Sequence, residues 1–111
     1  MATSTIKSNV QRGNLTVLSP FDLRSWGSAT YVRVGSLAIL NIYAAVFSSE
    51  VSANTPVVDL PFYAKGRQSA VITAQDGTKV LFFVGDGQTK LYVDGAAASG
   101  TYYFQFIVDT Y

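Results

Sequence analysis

One run of residues limits what this chain can fold into more than any other. Tyr31 to Phe47 reads YVRVGSLAILNIYAAVF and contains a single charged residue, Arg33. From Leu37 onward, alternate positions form two sets of side chains, and both sets are mostly apolar. Because the side chains of a strand alternate between its two faces, such a strand needs a cover on both sides.

The same run argues against a helix. Its β-branched and aromatic side chains favour a strand, and a helix here would have no polar face to turn to water. Gly35 divides the run as a hairpin or bulge glycine would. We therefore predict a central strand from Leu37, entered through a turn at Gly35.

The second half of the chain shows regular strands and turns. Asp76-Gly77 between SAVITAQ and TKVLFFV predicts a two-residue hairpin of type I′. Gly85-Asp86-Gly87 and Asp94-Gly95 mark further turns, and the segment Thr101–Asp109 is again apolar on both sides. Seven to nine strands separated by such turns predict an all-β fold, an antiparallel β-sandwich or jelly roll. Two strands that are apolar on both faces predict an outer sheet face that meets another subunit.

In the remaining segments we predict short strands joined by irregular connections. LTVL, from Leu15, predicts a short strand, and residues 20–30 predict an irregular connection that contains Trp26. Residues 50–55 predict a polar loop before a short edge strand, VVDL, between Pro56 and Pro61. Residues 60–68 predict a second irregular connection.

Composition narrows the function classes. Charged residues make up only 14% of the chain against about 25% in typical domains, which again favours self-association. The net charge is +1 and the basic residues are scattered, so we expect no binding to nucleic acid. The Leu37–Phe47 run is about half the length that crosses a bilayer, so we expect no membrane insertion.

The residue types also bear on catalysis. The chain has no histidine and no cysteine, which removes the usual general base, thiol nucleophile and zinc ligands. Asp76, Asp86 and Asp94 all precede glycine, as turn residues do, and their spacing does not match a calcium loop. We expect no enzyme activity, no cofactor and no metal.

Carbohydrate binding stays open, because a sugar site pairs an aromatic face with planar polar groups and needs no titrating residue. The candidates are Trp26, Tyr63 with Arg67, and Tyr92 with Asp94. Each has an alternative. Trp26 could cover one end of the core, Tyr63 could pack, Arg67 could be a solvated charge, and Tyr92 could be an ordinary strand residue.

Several motifs, taken in order, resemble a known family. ATYVRVGSLAILNI, from Ala29, resembles the strand pair that opens the head domains at the tips of phage tail fibres and baseplates. Leu60-Pro61 resembles the start of their mid-domain connection, and Asp76-Gly77 resembles a hairpin turn of the family. The closing GTYYFQFIVDTY resembles their aromatic last strand. The family's proline-containing segment after its leucine-proline is replaced here by FYAKGRQ.

The resemblance implies a homotrimeric β-sandwich that binds a cell-wall or capsular saccharide on a bacterial surface without cutting it. Residues 1–28 would be an N-terminal arm or the end of a neck that contacts other tail proteins, and residues 29–111 would be the head. The expected location is the tip of the virion tail, after synthesis in the host cytoplasm. Two alternatives remain: a virion structural or decoration protein without a receptor, and a non-viral carbohydrate-binding jelly roll.

Overall fold

Nine strands in two antiparallel sheets make up residues 10–111, the part of the chain that the computed structural model describes. The strands are β1 (Val10–Asn14), β2 (Thr16–Val17), β3 (Phe21–Val34), β4 (Leu37–Phe47), β5 (Val51–Asp59), β6 (Gln68–Thr73), β7 (Lys79–Val84), β8 (Lys90–Ala96) and β9 (Thr101–Asp109). The order is β1-β3-β4-β9 in the four-stranded sheet and β2-β5-β8-β7-β6 in the five-stranded sheet. The two sheets form a β-sandwich, which confirms the predicted fold class.

The apolar run forms the centre of the four-stranded sheet. Gly35 and Ser36 turn the chain between β3 and β4, and β4 then pairs with β3 on one side and β9 on the other. The predicted hairpin and central strand are both confirmed. Leu40 and Ile42 point into the core, whereas Tyr43 points to solvent within this single chain.

Aromatic side chains fill the space between the sheets. Phe21, Phe47 and Tyr102 come from the four-stranded sheet, Phe82 comes from the five-stranded sheet, and each is at most 2% exposed. Their ring centroids lie 4.7 to 6.0 Å apart, mostly in tilted or edge-to-face pairs. Burial of each ring contributes on the order of 2 kcal/mol from the hydrophobic effect, so this cluster is a main source of stability.

Two segments predicted to lack regular structure are strands. β3 begins at Phe21, in the segment predicted as an irregular connection, and that prediction is wrong. A register shift between Leu23 and Ser28 breaks the strand's period of two, so the alternation is invisible in the sequence. The boundary predicted between residues 28 and 29 falls inside β3, and residues 10–28 contribute strands to both sheets.

The predicted polar loop at residues 50–55 is also wrong, because β5 begins at Val51. Ser52, Ala53 and Asn54 are exposed, so the polarity of this segment reflects its position towards the edge of the sheet. LTVL contributes only a two-residue strand, and its Leu15 is a buried core residue. The second irregular connection is confirmed for residues 60–67, whereas its last predicted residue, Gln68, begins β6.

The hairpin at Asp76-Gly77 exists, but the predicted turn type is wrong. A type I′ turn needs positive φ at both central residues, whereas only Gly77 has positive φ here. Gly77 N donates to Ala74 O at 3.0 Å, and Ala74 N donates to Thr78 O at 2.7 Å. These two bonds describe a longer turn that closes with a glycine bulge.

Candidate functional site

An aromatic pair marks the solvent face of the five-stranded sheet. Phe83 on β7 lies directly opposite Tyr92 on β8, and their rings are stacked at 5.6 Å with planes 17° apart. Both side chains point outward, because the residues on either side of each are buried in the core: Phe82 and Val84 beside Phe83, and Leu91 and Val93 beside Tyr92.

A cation completes this arrangement. The guanidinium carbon of Arg67 lies 4.6 Å from the centre of the Phe83 ring, which is cation–π geometry. We call Arg67, Phe83 and Tyr92 the aromatic row. Its hydroxyl and guanidinium groups can form directional hydrogen bonds, while its ring surfaces can cover an apolar face of a ligand.

The aromatic row continues across the sheet. Ser69 on β6 lies opposite Phe83, and Pro56 on β5 lies opposite Tyr92. The outer surface therefore runs from a hydroxyl through two rings to a proline. Such a surface combines flat apolar area with a few polar groups, which suits a polar ligand that has apolar patches of its own.

The structure brings together some of the residues that the sequence singled out. Arg67 and Tyr92 meet through Phe83. Tyr63 is exposed in the connection that also carries Arg67, and its carbonyl accepts a 3.1 Å bond from Tyr111 N. Asp94 is exposed on β8, two residues beyond Tyr92 and on the same outward face.

Trp26 lies apart from this group. It occupies the irregular part of β3, next to Arg24, whose guanidinium carbon is 5.9 Å from the Trp26 ring and whose Nη2 donates to Thr101 Oγ1. Thr101 begins β9, whereas the connection that carries Tyr63 and Arg67 is bonded to Asp109 at the other end of that strand. Trp26 is 62% exposed, so its alternative role as a cover of the core is wrong, whereas its role as a ligand contact stays a prediction.

Phe83 belongs to the aromatic row but was not among the site residues predicted from the sequence. The signal was present in TKVLFFV, because both alternate sets of β7 contain large apolar residues. An apolar outer set in a strand predicts a contact on that face as well. Phe83 then links Arg67 with Tyr92, although 25 residues of sequence separate those two.

A hydrogen-bonded cluster fixes the end of the sandwich beside the aromatic row. Asp86 Oδ1 accepts a 2.8 Å bond from Gly66 N and a 2.7 Å bond from the Tyr111 hydroxyl. Both bonds hold the pKa of Asp86 below its usual value, and the bond from Gly66 N has the larger effect. The bond to Asp86 raises the pKa of the Tyr111 hydroxyl. Arg33 Nη2 donates to the Tyr111 carbonyl at 2.9 Å. Asp86 thus joins the connection at Gly66 to Tyr111. The sequence predicted only a local turn role for Asp86.

Metal-binding clusters and membrane-spanning helices are absent from residues 10–111. No group of three or more histidine, cysteine, aspartate or glutamate residues is arranged to hold a metal ion in that part of the chain. Over the same residues, no helix has the length and apolar character needed to cross a membrane. A groove of about 360 Å³ lies on the other sheet, along β1 and β3, and Arg12 and Val32 are among its lining residues.

Comparison with known proteins assigns no family to this chain. The chain matches no family model, and no curated protein or solved structure is detectably similar to it. The structure therefore defines the class of this protein as an antiparallel β-sandwich, and any function has to be argued from its surfaces.

Proposed function

We propose that this chain is a binding head of a phage tail tip that attaches to a saccharide on the bacterial surface without catalysis. The observation that carries the proposal is the aromatic row, in which Arg67 and Tyr92 both contact Phe83 on the outer surface of the five-stranded sheet and both rings are half-buried. The phage assignment rests on the sequence resemblance alone.

The chemistry of the aromatic row suits a sugar ring. A sugar ring presents C–H groups on one face, and these pack on aromatic side chains. The hydroxyl groups at the rim of the sugar form hydrogen bonds with a guanidinium or a phenol. Ser69 adds a hydroxyl beside Phe83. A site of this kind is open and shallow, so a single contact would be weak.

Several copies would make the attachment firm. Linked weak sites bind with an avidity that can exceed the single-site affinity by about two to four orders of magnitude. The resembled head domains are homotrimers, and we propose the same state here. Firm adhesion would then need an assembled head rather than one tight site.

The proposal is tested by adsorption of the tagged chain to a panel of bacteria and cell-wall extracts, together with a glycan array. Arg67→Ala and Tyr92→Phe remove one polar group each and leave the sheet intact. We expect either substitution to weaken binding roughly tenfold, which corresponds to about 1.4 kcal/mol. Trp26→Ala is the matched control, since Trp26 is an exposed aromatic residue on β3 of the four-stranded sheet, outside the aromatic row, and its loss should leave binding unchanged.

Two results would count against the aromatic row. Unchanged adsorption in both variants would remove it as the site, and loss of adsorption in Trp26→Ala would move the site to the other end of the sandwich. Failure of the unmodified chain to bind any cell or extract would instead favour a virion structural role, in which the same fold carries no receptor site.

A further inference from the structure

The outer face of the four-stranded sheet is built in four rows across its strands. Registers between neighbouring strands place the following residues side by side: Val10, Val34, Leu37 and Asp109 in the first row; Arg12, Val32, Ile39 and Ile107 in the second; Asn14, Thr30, Asn41 and Gln105 in the third; Ser28, Tyr43 and Tyr103 in the fourth. We call this surface the outer face. Two apolar rows are thus followed by a polar row and a tyrosine row.

Much of the outer face is apolar, and residues 10–111 leave it uncovered. Val34, Leu37 and Ile107 are exposed, and Ile107 keeps 58% of its surface open to solvent. Tyr43 and Tyr103 pack edge to face at 5.0 Å and are exposed as well. Four strands spaced about 4.8 Å apart, over a length of roughly 25 Å, make a face on the order of 500 Å². A stable interface buries about 800 Å² on each partner, so this face alone supplies most of one.

The charges of the outer face lie at its two edges. Arg12 is on β1 and Asp109 is on β9, and these strands form opposite edges of the sheet. They are one row apart, which is about 7 Å along the strands and within reach of an arginine side chain. They are the charged residues of the four rows, so the face carries one positive and one negative edge.

We propose that the outer face packs against the outer face of neighbouring copies of this chain, around a symmetry axis parallel to the strands. Rotation about such an axis keeps every row at its own height and brings the β1 side of one copy onto the β9 side of the next. Arg12 then approaches Asp109 of the neighbour, the polar row meets the polar row, and the tyrosine row meets the tyrosine row. An axis perpendicular to the strands would place β1 on β1 and bring like charges together.

The polar row supports this register. Gln105 Nε2 donates to Asn41 Oδ1 at 2.7 Å, so these two amides are already ordered within one chain. Each amide keeps further donors and acceptors that an opposing amide can satisfy. A polar row set against an apolar row would bury those groups without partners, which disfavours a shifted alignment.

The first test removes the apolar contact. Ile107→Lys places a positive charge in the second row, at the position that faces Arg12 of the neighbour, and Val71→Lys is the matched control. Val71 is an apolar strand residue that is 62% exposed, on the outer surface of the other sheet. Because both positions are exposed, both variants should fold. We expect Ile107→Lys to sediment at the 11.9 kDa chain mass at micromolar concentration and Val71→Lys to remain assembled. Assembly of Ile107→Lys at the same concentration as the unmodified chain, or a monomeric unmodified chain, would overturn the proposal.

The second test addresses the orientation. Arg12→Asp and Asp109→Arg each place like charges against each other, and we expect the dissociation constant to rise about tenfold in each. The double variant with both substitutions restores opposite charges and should return to within about threefold of the unmodified chain. A double variant as weak as either single variant would overturn the parallel axis.

This inference rests on the self-association in the proposed function, but it fails separately from saccharide binding. The aromatic row lies on the other sheet and is untouched in Ile107→Lys. If the proposed function holds, that variant should lose avid adsorption to cells while single-site binding on a glycan array remains. Loss of single-site binding as well would show that the two sheets do not act independently.

Discussion

The hydroxyl of Tyr111 donates a 2.7 Å hydrogen bond to Oδ1 of Asp86, and so attaches the last residue of the sequence to the turn between β7 and β8. Gly66 N donates to the same oxygen at 2.8 Å. One carboxylate therefore holds the C-terminal residue and the connection that leads to Arg67. The two bonds to Asp86 thus hold both segments at the end of the sandwich beside the aromatic row.

The first prediction concerns the pH dependence of this contact. The pKa of Asp86 is lowered, mainly by Gly66 N, so its stabilising effect is full above the unfolded value of about 3.9 and is lost as pH falls through the lower folded value. The pKa of Tyr111 is raised by Asp86, so its effect is full below about pH 10 and is lost as pH rises through the higher folded value. The contribution of this pair to the free energy of unfolding should therefore not change with pH between those limits.

Tyr111→Phe tests the pair directly. The pKa of Asp86, followed by NMR titration, should rise because one donor is lost. It should remain below the usual aspartate value because Gly66 N still donates. Asp76, whose pKa is lowered mainly by the backbone of Thr78, is the internal control and should not change. An unchanged pKa of Asp86 would mean that the Tyr111 bond does not persist in solution.

The second prediction concerns two buried hydroxyl groups. The hydroxyls of Tyr102 and Thr110 are buried and have no hydrogen-bond partner among residues 10–111. Burial also raises the pKa of Tyr102. A buried polar group without a partner costs about 1 to 3 kcal/mol, so Tyr102→Phe and Thr110→Val should each raise the unfolding free energy by roughly 1 kcal/mol. Urea denaturation measures this, and a loss of stability would show that the hydroxyls are bonded in solution.

The sequence predicted the strands that contain a continuous apolar run and missed those whose run is polar or interrupted. β4 and β9 were recognisable because both alternate sets of each strand are mostly apolar, which holds in β4 even across its register shift between Tyr43 and Ala45. The turns between β6, β7 and β8 were marked by glycine. β3 was missed because its register shifts between Leu23 and Ser28. That shift depends on pairing with β4, and no local residue pattern reports it.

The candidate site was predictable only in part for a related reason. The sequence paired Arg67 with Tyr63 and Tyr92 with Asp94, but the relationship of Arg67 to Tyr92 through Phe83 depends on the register between β7 and β8. A shift of one residue would turn Phe83 into the core. Similarly, both alternate sets of β4 are apolar, so composition alone could not say that Ile42 faces inward and Tyr43 outward.

The third prediction contrasts two glycines. A Cβ on Gly27 would lie 2.6 Å from Ala44 O and 2.7 Å from Tyr43 O, so the backbone of β4 would have to move. A Cβ on Gly77 would meet nothing within 4 Å, but Gly77 has φ of +94°. Gly27→Ala should therefore cost about 2 to 3 kcal/mol through overpacking, and Gly77→Ala about 1 to 2 kcal/mol through backbone strain.

A conservative variant separates these two causes. Asparagine tolerates positive φ better than alanine does, so Gly77→Asn should recover part of the stability lost in Gly77→Ala. Gly27→Asn should be no better than Gly27→Ala, because any side chain meets the same carbonyls. Thermal and urea unfolding provide the measurement. Equal costs for alanine and asparagine at Gly77 would contradict the strain argument.

The last prediction concerns the side where the edges of the two sheets meet. β6 and β9 are edge strands of different sheets, and Gln68 on β6 joins them. Its Oε1 accepts from Asp109 N at 2.6 Å, and its Nε2 donates to Lys65 O at 3.0 Å. Gln75 N donates to Thr101 O at 2.9 Å at the other end of β9, so the edge is held at both ends.

Gln68→Ala should release only one of these ends. We expect hydrogen exchange at the Asp109 amide to accelerate at least tenfold, with a loss of about 1 kcal/mol in unfolding free energy, because one hydrogen-bonded side chain is removed. The Gln75 amide should keep its protection, which makes it the control within the same protein. Gln68→Glu retains an acceptor for Asp109 N and should preserve most of the protection there. If Gln68→Ala instead accelerated exchange at Gln75 and Asp109 equally, the two ends of β9 would open as one unit, and Gln68 would stabilise the whole edge rather than its own end.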